Sequence, residues 1–195
     1  SGSVGQMKID EMKRRLTSIN PHCNVTLIHD FVSKDNVHDI IEPLGLTAVL
    51  DAIDGSKSKS ALLAACTDLE IPVVTCAGAA GRTAPTLIRC EDITKVYGDK
   101  LIRTCRSEMR KRYKFSEGLS LQETQKGRKA KKWNIDCIYS LENQKIVTES
   151  DGQSSFRRCD GALGTACHVT GTVGFCAAGR IVERIAQNSL NVPQR

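Results

Sequence analysis

Two aspartates, a glycine and two lysines follow an apolar run in the stretch VLDAIDGSKSK, residues 49–59. The apolar residues 46–50 and 71–75 have the length and composition of strands buried on both faces, and SKSALLAACTDLE between them is typical of a helix. This order predicts a strand–helix–strand unit. Ligands of such units bind where strands end and helices begin, so Asp51 and Asp54 lie where a metal ion or a phosphate-bearing ligand is expected.

The composition is that of a globular protein, with 195 residues and 40% hydrophobic content, enough for one domain or one domain with a small appendage. Its nine cysteines are scattered and form no C-x-x-C pair, which argues against a disulfide framework and a structural zinc. The N-terminus lacks the pattern of a signal peptide. We therefore expect a reducing compartment: the cytoplasm or, in a eukaryote, the mitochondrion.

An almost uncharged segment, residues 161–179, approaches the length that spans a bilayer. Its glycines, threonines and His168 make it a poor membrane segment, so we expect a buried, tightly packed helix and no membrane partner.

Positive charge is concentrated in one segment. The formal net charge is +6, yet residues 100–132 alone hold twelve Lys or Arg against three Glu, so the remainder of the chain is net negative. Such a segment is a solvated face or a surface for an anionic partner.

The order of elements predicts the fold class: α/β, with a Rossmann-like, mostly parallel sheet and helices on both faces. The predicted elements are a helix over 4–20, strands at 24–32, 46–50, 71–76, 87–93 and 136–147, helices at 34–45, 56–69 and 98–115, a polar mobile loop at 116–134, and a long apolar helix from near Cys159.

The chain has no G-x-G-x-x-G turn, so we interpret it as the later part of a nucleotide-binding domain, truncated at its N-terminus. Residues 1–95 would be the remaining part of the ATP-binding domain, and residues 96–195 would be the basic helix and loop, the strand and the C-terminal apolar helix of the same domain.

Six segments together resemble the tRNA threonylcarbamoyladenosine dehydratases, and the resemblance covers essentially the whole chain. They are SVGQMK, INPHCNVTLIHDFV, VLDAIDGSKSKSALLAAC, IPVVTCAGAAGRTAPT, DCIYSLE and RRCDGALGTACHVTGTVGF. These enzymes belong to the superfamily of ThiF, MoeB and the ubiquitin-activating enzymes, whose shared chemistry is ATP-dependent adenylation of a carboxylate.

The resemblance implies roles for three residues. Lys8 matches a lysine that contacts the ATP phosphates, and Asp54 matches an aspartate that holds Mg²⁺. Cys159 matches a cysteine regarded as a candidate catalytic residue; a helix N-terminus and two neighbouring arginines would favour its thiolate, whereas core packing is the alternative. Asp51 would then be a capping or structural carboxylate, or would support the metal site.

If the substrate is tRNA, with an adenosine of the anticodon loop as its target, the basic loop supplies phosphate contacts, and nearby aromatic side chains could stack a base of the anticodon loop. The candidates for the phosphates are Arg128, Lys129, Lys131 and Lys132, and those for stacking are Tyr113, Phe115 and Trp133. The resemblance also implies a homodimer, with a sulfur-relay protein as a further candidate partner.

Two departures from the family pattern affect the expected activity. Ala84 stands where the family commonly has an aspartate, so a carboxylate role is absent there. The phosphate loop expected of the family would lie before Ser3, so we expect this chain by itself to bind ATP poorly and to be inactive.

The predicted function is ATP-dependent dehydration of threonylcarbamoyladenosine in tRNA to its cyclic form. Two alternatives remain open at this point. One is an activating enzyme for a ubiquitin-like or sulfur-carrier protein, which would use the same Lys8 and Asp54, and the other is a non-catalytic remnant that binds RNA or a protein partner.

Overall fold

The computed structural model of the protein describes residues 2–117, 131–144 and 164–195. The chain forms two compact units, Ser1–Val32 and Ser33–Arg195, which are described separately.

The first unit contains one helix, α1 (Lys8–Ile19), as its sequence predicts. Glu11 accepts hydrogen bonds from Arg14 and Arg15, one turn further along, and these contacts support the helix. No residue of α1 is buried. The strand predicted at 24–32 is wrong, because these residues lie outside the sheet. A strand is stable only beside a neighbouring strand, and apolar composition alone does not provide one.

The second unit is built on a four-stranded sheet. Its strands are β1 (Val49–Asp51), β2 (Val73–Cys76), β3 (Ile88–Asp92) and β4 (Asp136–Ser140), in the spatial order β1-β2-β4-β3. β1 and β4 both run parallel to β2, and β3 runs antiparallel to β4. The predicted mostly parallel sheet is therefore confirmed.

The strands before and after α3, β1 and β2, were both predicted to be buried, and only β2 is. All four residues of β2 are buried, whereas Leu50 in β1 is 43% exposed. β1 is the edge strand of the sheet, so it has one neighbour where β2 has two. Within β1 only Asp51 is buried.

Helices cover both faces of the sheet, as predicted. On one face, α3 (Ser56–Asp68) and α4 (Lys100–Tyr113) pack together. On the other face, α5 (Cys167–Ala186) packs against β2 and β4. The short helix α2 (Val37–Ile41) continues as a 3₁₀ turn that ends at Gly45, whose φ of +55° suits glycine.

The C-terminal helix is less buried than its apolar sequence predicts. α5 buries one stripe, formed by Val169, Val173 and Ala177, against Val74 and Ile138 of the sheet. Its other faces are largely exposed, so the expected fully buried helix is wrong. Within the described ranges, no helix is long and apolar enough to cross a membrane.

Candidate active site

A cavity of about 310 Å³ lies where β1 and β2 end. Because the two strands are parallel, their carboxyl ends meet at the same edge of the sheet. The residues that follow them line the cavity together with parts of α4 and α5: Ala52, Ile53, Asp54, Ala77, Gly78, Ala79, Leu101, Val173 and Gly174. We call it the strand-end cavity. Asp54 is exposed and is the only carboxylate among the described lining residues.

Asp51, the last residue of β1, shapes the turn that carries Asp54. One oxygen of its carboxylate accepts a hydrogen bond from the backbone N–H of Ile53 at 2.9 Å. This side-chain-to-backbone contact fixes the chain as it leaves β1. Asp51 itself is 1% exposed, so its role is structural, as one of the sequence interpretations held.

A buried ion pair, Asp51 with Lys59, contacts Cys76, one of the residues that line the cavity. The ammonium of Lys59 donates to Asp51 at 2.5 Å, to the Thr75 hydroxyl at 3.0 Å and to the Cys76 carbonyl at 3.0 Å. Thr75 in turn donates to the other side of the same Asp51 oxygen at 2.6 Å. All three donor sites of the ammonium are satisfied, so the ends of β1 and β2 are joined to α3 by a polar network without unpaired members.

The wall of the cavity behind Gly78 is held by a second buried ion pair. Arg82 and Asp99 have side chains that are each 1% exposed and approach to 2.9 Å. Asp99 also accepts from the N–H of Gly78 at 3.2 Å and from the N–H of Ile102 at 2.9 Å, and the second contact caps α4. Arg82 donates further to the carbonyls of Gly78 and Glu142.

The loop after Arg82 is fixed by Glu142. Its carboxylate accepts hydrogen bonds from the N–H groups of Thr83 and Ala84, both at 2.8 Å. His168 at the start of α5 contacts the Thr83 carbonyl at 3.0 Å. Ala84, where the family has an aspartate, therefore lies in a loop that is ordered without that carboxylate.

Cys76 also lines the strand-end cavity, and its chemistry is that of a core residue. Burial raises the pKa of its thiol, against the opposing effect of the Lys59 charge, so it stays protonated at neutral pH. Cys159 lies outside the described residues. The described helix α5 begins at Cys167, so it does not supply the helix N-terminus expected beside Cys159.

The two residues predicted to bind the nucleotide, Lys8 and Asp54, lie in different units. Lys8 is the first residue of α1 in the first unit and is exposed, while Asp54 is at the strand-end cavity of the second unit. Each is accessible to a ligand. Their joint role at ATP stays a prediction.

Of the four predicted phosphate contacts in the basic loop, the structure describes Lys131 and Lys132. Arg128 and Lys129 lie outside the described residues. Lys131 and Lys132 are exposed and precede β4, which places them at the edge where the parallel strands begin, opposite Asp54. The ammonium of Lys131 donates to the backbone carbonyl of Arg195. Their contact with RNA stays a prediction.

Two of the three aromatic candidates for base stacking are core residues. Trp133 is 1% exposed and Phe115 is 3% exposed, and their rings pack together with centroids 4.8 Å apart. The indole N–H of Trp133 donates to Ser116 at 2.8 Å. Neither ring is available to a base, whereas Tyr113 is half-buried.

Sequence reasoning missed three residues that shape the site: Lys59, Arg82 and Glu142. A signal existed for Lys59, because it shares a helical face with Leu62, Leu63 and Cys66, all buried. Arg82, which is buried, and Glu142, which is half-buried, lie in loops, where no periodicity marks a charge that the fold uses. Their partners are distant in sequence and are brought close only by the fold.

Comparisons with known proteins agree with this architecture. Residues 1–192 match the ThiF family. The tRNA threonylcarbamoyladenosine dehydratase of Haemophilus influenzae is 35% identical over 187 residues, which are 95% of this chain and 67% of that protein. The Bacillus subtilis protein of the same name is also 35% identical, over 92% of this chain and 66% of its own length.

A solved structure gives the same result. The crystal structure of Escherichia coli tRNA N6-threonylcarbamoyladenosine dehydratase in complex with ATP matches with a TM-score of 0.78 and 32% identity, over 95% of this chain and 66% of that one. The chain thus spans about two thirds of the length of these relatives. On the family match and these identities, the chain belongs to the ThiF family and is similar to the tRNA threonylcarbamoyladenosine dehydratases within it.

Proposed function

We propose that this chain is part of an enzyme that uses ATP to dehydrate threonylcarbamoyladenosine in tRNA to its cyclic form. The observation that carries the proposal is the strand-end cavity with Asp54 at its mouth. It lies at the carboxyl edge of the sheet, where α/β proteins bind nucleotides. The similarity to dehydratases, one of them solved with ATP, supports the choice of reaction.

The reaction is a net loss of water in two steps. The substrate carboxylate attacks the α-phosphorus of ATP, and pyrophosphate leaves. A nitrogen of the same substrate then attacks the activated carbonyl carbon, loses its proton, and AMP leaves with the former carboxylate oxygen. Since the nucleophile belongs to the substrate, the protein contributes position and charge stabilisation.

Asp54 fits the role of a Mg²⁺ ligand. Mg²⁺ in nucleotide sites is commonly held by one or two carboxylates together with the phosphates. Across the described ranges, no three His, Cys, Asp or Glu side chains form a group that could hold a metal ion. When bound, the ion would neutralise charge that develops on the leaving pyrophosphate. Lys8 would contact the same phosphates.

The cavity lining suits a reactive acyl phosphate. Leu50, Ala52 and Val173 give it a mostly apolar surface, which would disfavour water that hydrolyses the activated carboxylate before the ring closes. The ion pair of Asp51 with Lys59 supports this lining through Cys76, whose carbonyl accepts a hydrogen bond from Lys59.

Further parts of the proposal concern residues and partners beyond this cavity. Cys159 is the candidate for a chemical role in the second step, and Arg128, Lys129, Lys131 and Lys132 are candidates for tRNA phosphates. The functional protein would be a homodimer in the cytoplasm.

The test uses the natural full-length protein, Mg²⁺-ATP and tRNA that carries threonylcarbamoyladenosine. Asp54→Ala should lower the rate of pyrophosphate release by about 100-fold or more, because a metal ligand at the leaving group contributes several kcal/mol. Asp39→Ala is the matched control, since Asp39 is an exposed carboxylate on α2 outside the cavity.

Near-normal release by Asp54→Ala would contradict the assignment of this carboxylate. Release that requires the C-terminus of a carrier protein instead of tRNA would replace the proposed reaction by protein activation. Mass spectrometry of tRNA nucleosides, with a product lighter by one water, identifies the dehydration directly.

A further inference from the structure

We propose that a second cleft, next to the strand-end cavity, binds an unpaired RNA nucleotide that neighbours the substrate adenosine. We call it the Tyr97 cleft; its lining includes Tyr97, Gly98, Lys100, Arg103 and Asn143. The inference rests on the proposed function in one respect, namely that the substrate is an RNA.

The cleft lies at the same edge of the sheet as Asp54. Asn143 follows the end of β4, which runs parallel to β2, and Gly98 and Lys100 flank the start of α4. Its volume is about 480 Å³, which suits a ligand of nucleotide size. The contact of Asp99 with the N–H of Gly78 forms a shared wall, since Gly78 lines the strand-end cavity and Asp99 lines the cleft.

Tyr97 supplies a surface for base stacking. Its side chain is 61% exposed, unusual for a large aromatic residue. The ring meets Tyr139 edge to face, with centroids 6.0 Å apart and an interplanar angle of 71°. This contact holds the ring in one orientation and leaves area free for a base, the way single-stranded RNA is commonly bound.

Positive charge at the cleft is supplied by Arg103. Arg103 and Lys100 are both exposed, and they lie within the first turn and a half of α4. Arg106, one turn further on, is occupied differently, because its guanidinium donates to the carbonyls of Ile93 and Val96 at 2.8 and 2.5 Å. Arg103 therefore has the position and exposure to contact a phosphate.

Asn143 adds a group that can recognise a base edge. Its side-chain amide lies beside Gly98, where an added Cβ would be 3.5 Å from the amide oxygen. An amide offers both a donor and an acceptor, which a base edge requires. An exposed ring, a cation and an amide in one cleft match an RNA nucleotide better than an acidic peptide, which needs the cation alone.

The test measures RNA binding by the 195-residue chain without ATP. The probe is a fluorescent, unmodified anticodon stem–loop RNA, and a second probe has abasic sites throughout the loop. Fluorescence anisotropy over a salt series gives the affinity and its salt dependence for the unchanged chain, Tyr97→Ala, Tyr97→Phe, Arg103→Ala and Lys95→Ala. Lys95 is the charge control, because it is exposed, pairs with Glu91 and lies outside the cleft.

Tyr97→Ala should weaken binding of the intact loop by about tenfold, because stacking on an aromatic side chain contributes at this level. Tyr97→Phe should bind like the unchanged chain, since it keeps the ring. With the abasic loop, the difference between Tyr97 and Tyr97→Ala should disappear. Arg103→Ala should reduce the log-log salt slope by about 0.7, the value for one phosphate contact on a single strand, and Lys95→Ala should reduce it less.

Three results would overturn the inference: unchanged affinity in Tyr97→Ala, an equal loss on the abasic loop, or no binding of the stem–loop by the unchanged chain. Equal binding of an acidic peptide in the cleft, with the same dependence on Arg103, would reassign it to a protein partner. Pyrophosphate release in the full-length protein is measured separately, so failure here leaves the dehydration proposal standing, whereas release that requires a carrier protein would remove the RNA on which this inference rests.

Discussion

Next to the strand-end cavity the ammonium of Lys59 is fully buried and donates to three acceptors, whereas at the Tyr97 cleft the guanidinium of Arg103 is exposed. Both are cations near the same edge of the sheet. The first is held in place by the fold and belongs to it, while the side chain of the second is exposed and available to a ligand. Position in the fold, and not residue type, separates a structural cation from one that can bind.

The largest effect should come from removing the buried cation. Lys59→Met leaves the Asp51 carboxylate buried without its ion pair, and we expect the free energy of unfolding to fall by about 3–5 kcal/mol. Urea denaturation followed by circular dichroism measures it. Lys57→Met, two residues away on the exposed side of α3, is the matched control.

A second variant of the same pair sharpens this result. Asp51→Leu combined with Lys59→Met replaces both charges by apolar groups, and it should recover much of the lost stability. If Lys59→Met has the same free energy of unfolding as Lys57→Met, the buried network contributes little to stability. The contrast between Lys59 and Arg103 then disappears.

A smaller effect is expected for the hydroxyl in the same network. Thr75→Val keeps the shape of the side chain but removes one donor to Asp51 and one acceptor from Lys59. The expected loss is about 1–2 kcal/mol in the same denaturation experiment. Thr104→Val, at an exposed position of α4, should lower the free energy of unfolding clearly less. Equal losses would show that the hydroxyl of Thr75 is not important to the network of Asp51 and Lys59.

The smallest effect belongs to the exposed cation. Arg103→Ala should change the free energy of unfolding by no more than about 0.5 kcal/mol, because an exposed side chain on a helix contributes little to stability. The unfolding midpoint in urea, at an unchanged slope, is the measurement. A destabilisation comparable to that of Thr75→Val would mean that Arg103 is part of the fold, and it would weaken the case for RNA binding.

Much of the framework was predictable from the sequence. The helix–strand order of the second unit follows from hydrophobic periodicity, and the turn after β1 follows from two aspartates and a glycine at the end of an apolar run. These signals are local, and local signals are what a sequence shows directly. The position of Asp54 at the mouth of a cavity could be predicted from these signals.

The remaining errors concern contacts between distant parts of the chain. Trp133 has the polar neighbours of an exposed residue, yet the fold places it against Phe115, with Arg110 over its ring at 5.3 Å. Residues 24–32 have the composition of a strand but lie outside the sheet. Tyr97 was missed for the opposite reason, since a lone tyrosine between elements carries no periodic pattern. In each case the surroundings of the residues depend on contacts between distant parts of the chain, and no spacing in the sequence encodes them.

The triple role of Asp99 has a consequence for mutational tolerance. The same carboxylate pairs with Arg82, caps α4 and bonds to Gly78 in the wall between the two cavities. A single substitution there removes all three contacts at once, so neither cavity can drift through this position while the other is preserved. The two cavities are therefore constrained to evolve together at Asp99.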